Sequence, residues 1–108
     1  MTSEASFTGT GSSKKMFFVY ILFSRRDNKL YIGCTDEVQR RLGEHLSGKV
    51  SSTKWRRPLE LIYYEAFVDE RDARAREKFL KSGSGHRFLD KQLRYCLSKF
   101  RGVEQFTP

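Results

Sequence analysis

Residues 16–33 read MFFVYILFSRRDNKLYIG, and the fold turns on how this stretch divides. From Met16 to Phe23 the side chains are apolar, aromatic or β-branched without interruption, the composition of a strand buried on both faces. The polar run SRRDNK breaks it, and Asp27 and Asn28 tolerate the positive φ of a tight turn. KLYIG then resumes the apolar pattern, so the stretch predicts a β-hairpin. Side chains alternate faces along a strand, and an even-numbered hairpin loop brings residues an odd number apart onto one face. Tyr20 and Tyr31 are so placed. A four-residue loop from Ser24 to Asp27 would set them directly opposite, with Cβ atoms ~5 Å apart, whereas a two-residue loop would offset them along the strands. The close register suits a shared site and is the expectation.

Upstream, MTSEASFTGTGSSKK has no periodicity and too few apolar side chains to offset the entropy of ordering it, so residues 1–15 read as a disordered tail. Downstream, Thr35 or Asp36 offers an N-cap for EVQRRLGEHL, where Val38, Leu42 and Leu46 recur on one helical face, and Ser47-Gly48 ends that helix. KVSSTKWRRP is polar, basic and too irregular for an element. Pro58 closes it before LELIYYEAF, a third strand on which Tyr63 and Tyr64 point to opposite faces. Asp69 caps a helix over ERDARAREKFLK that stops at Ser82-Gly83. From His86 to Phe100 the residues Phe88, Leu89, Leu93, Leu97 and Phe100 keep a helical spacing, and residues 101–108 read as a flexible tail. The sum is a small α/β domain of the α+β kind over residues 16–100, a three-stranded antiparallel sheet flanked by helices in the order β-β-α-β-α-α.

A chain of 108 residues has room for one hydrophobic core. A net charge of +8 points to a polyanionic partner, with nucleic acid ahead of an anionic membrane surface. No apolar run is long enough to span a bilayer and the start lacks the apolar core of a signal peptide, so a cytoplasmic location is expected. Cys34 and Cys96 lie far apart in sequence, and neither they nor His45 and His86 stand in a paired metal-ligand spacing, which argues against a disulfide or a zinc site.

Glu37, Arg41 and His45 follow at intervals of four and form a stripe beside the apolar face of their helix. Glu77 falls between Ala73 and Leu80, which directs its carboxylate toward the sheet. Alone, each residue has a plainer reading. The tyrosines are packing, Arg41 and Glu77 are surface charges with helical ion pairs, and His45 fills a polar edge of the core. Together they allow convergence on one sheet face. Lys54, Trp55, Arg56 and Arg57 offer cations and one aromatic ring for a nucleic-acid backbone, or else a solvated loop with Trp55 tucked into the core.

Val19-Tyr20-Ile21, then Tyr31-Ile32-Gly33, then Arg41, His45 and Glu77 resemble the GIY-YIG nuclease family, over about residues 17–88. WRRPLELIYYEAF and REKFLKSGSGHRFL look most like its small stand-alone bacterial members. The resemblance implies a metal-dependent endonuclease acting on DNA, with RNA open as a substrate and a protein partner or homodimer unspecified. It implies that Glu77 holds one Mg²⁺ or Mn²⁺ ion, that a tyrosine activates a water, with Tyr31 the first choice and Tyr20 its partner or a phosphate contact, and that Arg41 neutralises the phosphate. A phenol of pKa ~10 is only about one part in a thousand ionised at pH 7, so such a tyrosine needs a lowered pKa. Phe18 stands where the family name has Gly. Cys34 follows Gly33 where some active members carry a basic residue, so a cation must come from elsewhere, and Lys54, Arg56 and Arg57 are the candidates.

Overall fold

The computed structural model describes residues 15–102. The two expected tails lie almost wholly outside them; Lys15, which pairs with Asp36, Arg101, which ends the last helix, and Gly102, which caps it, are exceptions that belong to the folded part.

Strands β1 (Phe17–Ser24), β2 (Leu30–Thr35) and β3 (Leu59–Phe67) form an antiparallel sheet in the order β2-β1-β3. The continuous apolar run becomes the central strand, and from Val19 to Ser24 every residue is buried because both faces are covered. Helix α1 (Val38–Leu46) follows β2; α2 (Glu70–Leu80), α3 (Gly83–Gln92) and α4 (Arg94–Arg101) follow β3. On one face Val19, Ile21, Phe23 and Ile32 pack against Ala73, Leu80, Leu89, Leu93 and Leu97 of α2 to α4 and their junction. On the other, Tyr20, Leu22 and Leu59 form a smaller cluster with Tyr31, Leu42 and Leu61 under α1. No helix of the described residues is long and apolar enough to cross a membrane.

The expected sheet is present, with differences of detail. The segment after α2 is two helices rather than one. Ser82 does not simply end α2 but accepts a bond from Gly85 N and caps α3, and the chain bends at Leu93 before α4. Gly85 is obligatory there, since a Cβ would run into the backbone of Phe79 and Leu80. Neither Thr35 nor Asp36 is the N-cap of α1. Glu37 occupies that position, and the Thr35 hydroxyl accepts from Glu37 N one step earlier. Asp69 caps α2 as expected, accepting from Arg71 N at 2.8 Å. In the irregular basic segment, Lys54–Arg56 forms one 3₁₀ turn.

The hairpin register decides the site. Ser24 pairs with Lys29, and Asn28 takes φ +60° in the loop at 25–28. That loop has even length, so Tyr20 and Tyr31 do share a face. It closes one residue later than the expected loop, so Tyr20 sits opposite Gly33, and Tyr31 opposite Leu22. The cause is Ser24, which is buried inside the strand end. Its hydroxyl accepts from Arg26 N and Asp27 N and donates to Arg56 O at 2.6 Å. A register shift in β3 between the partners of Ile21 and Leu22 leaves Ile62 as the extra residue, so that Tyr64 and Leu61 both join the α1 face.

Candidate active site

The offset register makes Gly33 a floor for the Tyr20 ring. A Cβ on Gly33 would lie 2.5 Å from Tyr20 Cζ and 2.9 Å from Cε2, so only a glycine lets the phenol lie across β2. Thus placed, Tyr20 Oη reaches His45 Nε2 at 2.8 Å. The Tyr20 and Tyr31 ring centroids are 6.3 Å apart, and His45 packs edge-on against both, at 5.6 and 5.0 Å. The other ring nitrogen, Nδ1, lies 2.7 Å from the hydroxyl of Thr53.

His45 and Thr53 are fully buried. The sequence places Val38, Leu42 and Leu46 inward with His45 at the border, but Leu46 is 48% exposed and His45 is the one residue of α1 with no exposure. The helix is rotated so that Arg41, Leu42 and His45 face the sheet, because Tyr20 and Thr53 satisfy both nitrogens of the imidazole and remove the cost of burying it. Burial, helped by the nearby Arg41 charge, pushes the His45 pKa down to about 4. The ring is neutral at pH 7, so one of its nitrogens donates and the other accepts.

Tyr20 moves opposite to the requirement for a base. Burial, reinforced by Tyr31 and opposed by the Arg41 guanidinium, pushes its pKa up to about 12. Tyr20 stays a phenol at any physiological pH. Arg41 borders the ring cluster and is held by Glu44 Oε1 at 2.8 Å from Nη1, which leaves much of its donor fork unspent.

Glu77 does not join this cluster on the same sheet face. Its helix, α2, packs Ala73 and Leu80 against the opposite face. The carboxylate is mostly buried, with its side chain 16% exposed, and bridges Lys81 Nζ at 3.1 Å and Arg74 Nη1 at 3.6 Å. Its helix also packs against the edge strand β2. At the end of that strand a cleft of about 460 Å³ runs between α1 and α2 and is lined by Arg41, Cys34, Thr35 and Arg74 among others. The cleft runs from Arg40 and Arg41 of α1 to Glu70 and Arg74 of α2; Tyr20, Tyr31, His45 and Glu77 do not line it.

The basic segment divides. Arg56 bonds Asp27 Oδ2 at 2.7 Å, holding that carboxyl down at about pKa 2, and braces the hairpin loop. Arg57 lies over Gly48 and donates to Lys54 O at 3.1 Å and Leu46 O at 3.4 Å, closing the C-terminal end of α1. Both arginines are used in the fold. Lys54 and Trp55 remain for a ligand, with Trp55 74% exposed and the Lys54 ammonium 5.0 Å from its ring centroid. Trp55 is therefore not tucked into the core.

Thr53 escapes the sequence reading because its segment has no period, and its signal is indirect: a buried histidine needs a second partner. Arg74 has a plainer signal, three residues before Glu77 on one helix.

Residues 16–88 match the sequence profile of the GIY-YIG catalytic domain. The chain is 37% identical over 87 residues to a UPF0213 protein of Lactiplantibacillus plantarum, covering 78% of this chain and 85% of that relative. It is 41% identical over 68 residues to one of Staphylococcus haemolyticus, covering 62% and 82%, and 40% identical over 70 residues to one of Bacillus pumilus, covering 64% and 70%. No solved structure matches the chain.

Proposed function

The chain belongs to the GIY-YIG nuclease family, and we propose that it is a metal-dependent endonuclease that hydrolyses phosphodiester bonds in DNA. The observation that carries this reading is the assembly of Tyr20, Tyr31, His45 and Arg41 on one sheet face beside a basic cleft. Packing alone would explain each of these residues singly; their meeting at one place, with Arg41 at the mouth of the cleft, is what favours a catalytic use.

Glu77 is the residue we assign to the metal. Among the described residues no group of three or more His, Cys, Asp or Glu side chains could hold an ion by itself. One mostly buried carboxylate fits the kind of Mg²⁺ or Mn²⁺ site that keeps several waters and takes further oxygens from a substrate phosphate. When bound there, such an ion neutralises developing phosphate charge and favours deprotonation of water. Lys81 and Arg74 balance the Glu77 charge.

The remaining roles follow from positions. Tyr20, with a pKa near 12, is a positioning phenol whose ring and hydroxyl are set by Gly33 and His45. We therefore assign removal of the water proton to Tyr31, which is only half-buried. Neutral His45 is not a cationic acid. It fixes Tyr20 and packs against Tyr31, and Thr53 fixes the ring in turn. Arg41 donates to the phosphate as negative charge grows on its oxygens. Lys54 and Trp55 grip backbone and stack on a base or sugar, contacts that supply affinity without sequence choice. The enzyme accordingly prefers flapped, branched or single-stranded DNA to long sequences, as a cytoplasmic enzyme of DNA repair would.

A second reading is a binding module without catalysis, and the placement of Glu77 favours it, since α2 lies under the sheet face opposite the tyrosines. Incubation with branched, flapped, linear and single-stranded DNA, and with RNA, in Mg²⁺ or Mn²⁺ separates the two. Cleavage of any form supports the nuclease, and preference among forms defines its substrate. Binding without cleavage in every condition supports the module.

A further inference from the structure

The cleft at the end of β2 holds more positive charge than Arg41 brings. Lys15, Arg40, Arg41 and Arg74 line it, against the carboxylates of Asp36 and Glu70. Three of these cations already have close partners. Lys15 pairs with Asp36 at 3.0 Å, Arg40 with Glu44 at 3.0 Å, and Arg41 with Glu44 at 2.8 Å. Arg74 is different. Its two ion pairs are long, 3.4 Å to Glu70 and 3.6 Å to Glu77, and its side chain is 58% exposed. A guanidinium held this loosely from one helix can turn its fork to a ligand at little cost in lost bonds.

Its neighbour across the cleft is Cys34, the half-buried residue that follows Gly33. Burial pushes the Cys34 thiol up, and Arg74 lines the same cleft beside the edge strand. A thiol makes a poor partner for a phosphate.

We propose that Arg74 is a second phosphate-binding residue, which grips a nucleic-acid backbone phosphate in this cleft from the side opposite Arg41. The inference rests on the nucleic-acid part of the proposed function and needs no cleavage step. Two planar forks from α1 and α2 then hold one phosphate in the cleft, and Arg74 exchanges its long pairs with Glu70 and Glu77 for the ligand. This role stands beside the one expected of Lys54, Arg56 and Arg57, of which Arg56 is paired with Asp27.

The test compares wild-type protein with Arg74→Ala, Arg74→Lys and Arg71→Ala. Arg71 is the control, carrying the same charge on the same helix with its side chain 90% exposed and its partner at Asp69, away from the cleft. Binding of a short fluorescein-labelled DNA duplex is measured by anisotropy in EDTA across a salt series, and cleavage is measured with Mg²⁺. Arg74→Ala is expected to weaken binding by about tenfold to a hundredfold, to reduce the slope of log K against log salt by about one, and to slow cleavage with it. Arg74→Lys should recover most of the salt slope, and Arg71→Ala should leave the slope as in wild type. Thermal midpoints of all three should match the wild type. Wild-type binding and slope in Arg74→Ala overturn the proposal, and so does slower cleavage with unchanged binding, because Arg74 would then act only by positioning Glu77. Both outcomes leave the nuclease reading intact. A wild-type protein that neither binds nor cuts any nucleic acid overturns both.

Discussion

Replacing Gly33 by alanine adds one methyl group at a point where the structure leaves no room for it. The new Cβ would stand 2.5 Å from Tyr20 Cζ, against roughly 3.5–4.0 Å for a normal carbon contact, so the phenol ring must lift by about 1 Å or more. The contact is with the ring end whose hydroxyl bonds His45 Nε2 at 2.8 Å, and a shift of that size ends the hydrogen bond. His45 has no exposure, so water cannot take the place of Tyr20. Leaving one buried polar atom unpaired costs about 1–3 kcal/mol, and overpacking at a core contact adds about 1–3 kcal/mol. Partial relaxation of α1 relieves some of both, so about 2–4 kcal/mol is expected for the pair of effects. Two other glycines calibrate the measurement. Gly43 in α1 has nothing within 4 Å of its would-be Cβ, and Gly43→Ala should stabilise by about 0.5–1 kcal/mol. Gly85 faces the backbone of Leu80, so Gly85→Ala should destabilise strongly. Urea denaturation followed by far-UV circular dichroism measures all three. A loss below about 0.5 kcal/mol for Gly33→Ala, with Gly43→Ala and Gly85→Ala behaving as stated, would refute the claim that Tyr20 is seated on Gly33.

His45 should make stability depend on pH in a defined window. Its folded pKa of about 4 lies below the unfolded value of about 6.5, so the unfolded chain binds the proton first. Stability should therefore fall by up to about 3 kcal/mol as pH drops from about 6.5 to about 4, and His45→Gln should lack that fall. Asp27 and Asp69, each held down near 2 by arginine partners, act in a separate window, losing their contribution below about pH 4. Lys54→Ala and Trp55→Ala should each weaken DNA binding in a filter or anisotropy assay without lowering the thermal midpoint, whereas Arg56→Ala should lower the midpoint and leave the salt dependence of binding unchanged. Chelation with EDTA should stop cleavage and leave the thermal midpoint unmoved, since a metal on one carboxylate does not staple the fold; a drop of several degrees would show a structural ion instead.

The sheet was legible because the run from Phe17 to Phe23 and the strand at Leu59–Phe67 carry strong local signals, and the hairpin residues allow few alternatives. The two-tyrosine face was legible for the same reason, through the parity of the loop. The register was not, because it depends on a hydroxyl at Ser24 that bonds Arg56, far along the chain. The facing of α1 misled through hydropathy. Val38, Leu42 and Leu46 look like an inner stripe, but Tyr20 and Thr53 make a polar imidazole the better-satisfied buried group. Glu77 was directed toward the sheet correctly by Ala73 and Leu80. Which face of the sheet it meets is a matter of chain crossing around an edge strand, and helical spacing contains no information about that. Arg56 and Arg57 read as a free basic patch because the Arg56 ion pair with Asp27 and the Arg57 hydrogen bond to the Leu46 carbonyl are contacts distant in sequence.

If residues from both sides of the edge strand cut DNA together, Glu77→Gln should abolish cleavage without loss of DNA binding. The substitution keeps the shape of the side chain and removes the charge that would hold the metal. Cleavage of the preferred DNA form in Mg²⁺ is compared with that by wild type and Tyr31→Phe, alongside binding in EDTA. Cleavage lowered by at least a thousandfold in both variants, with binding within about threefold of wild type, is the predicted result. Cleavage that survives both changes would contradict the account, because the chemistry would then belong to other residues.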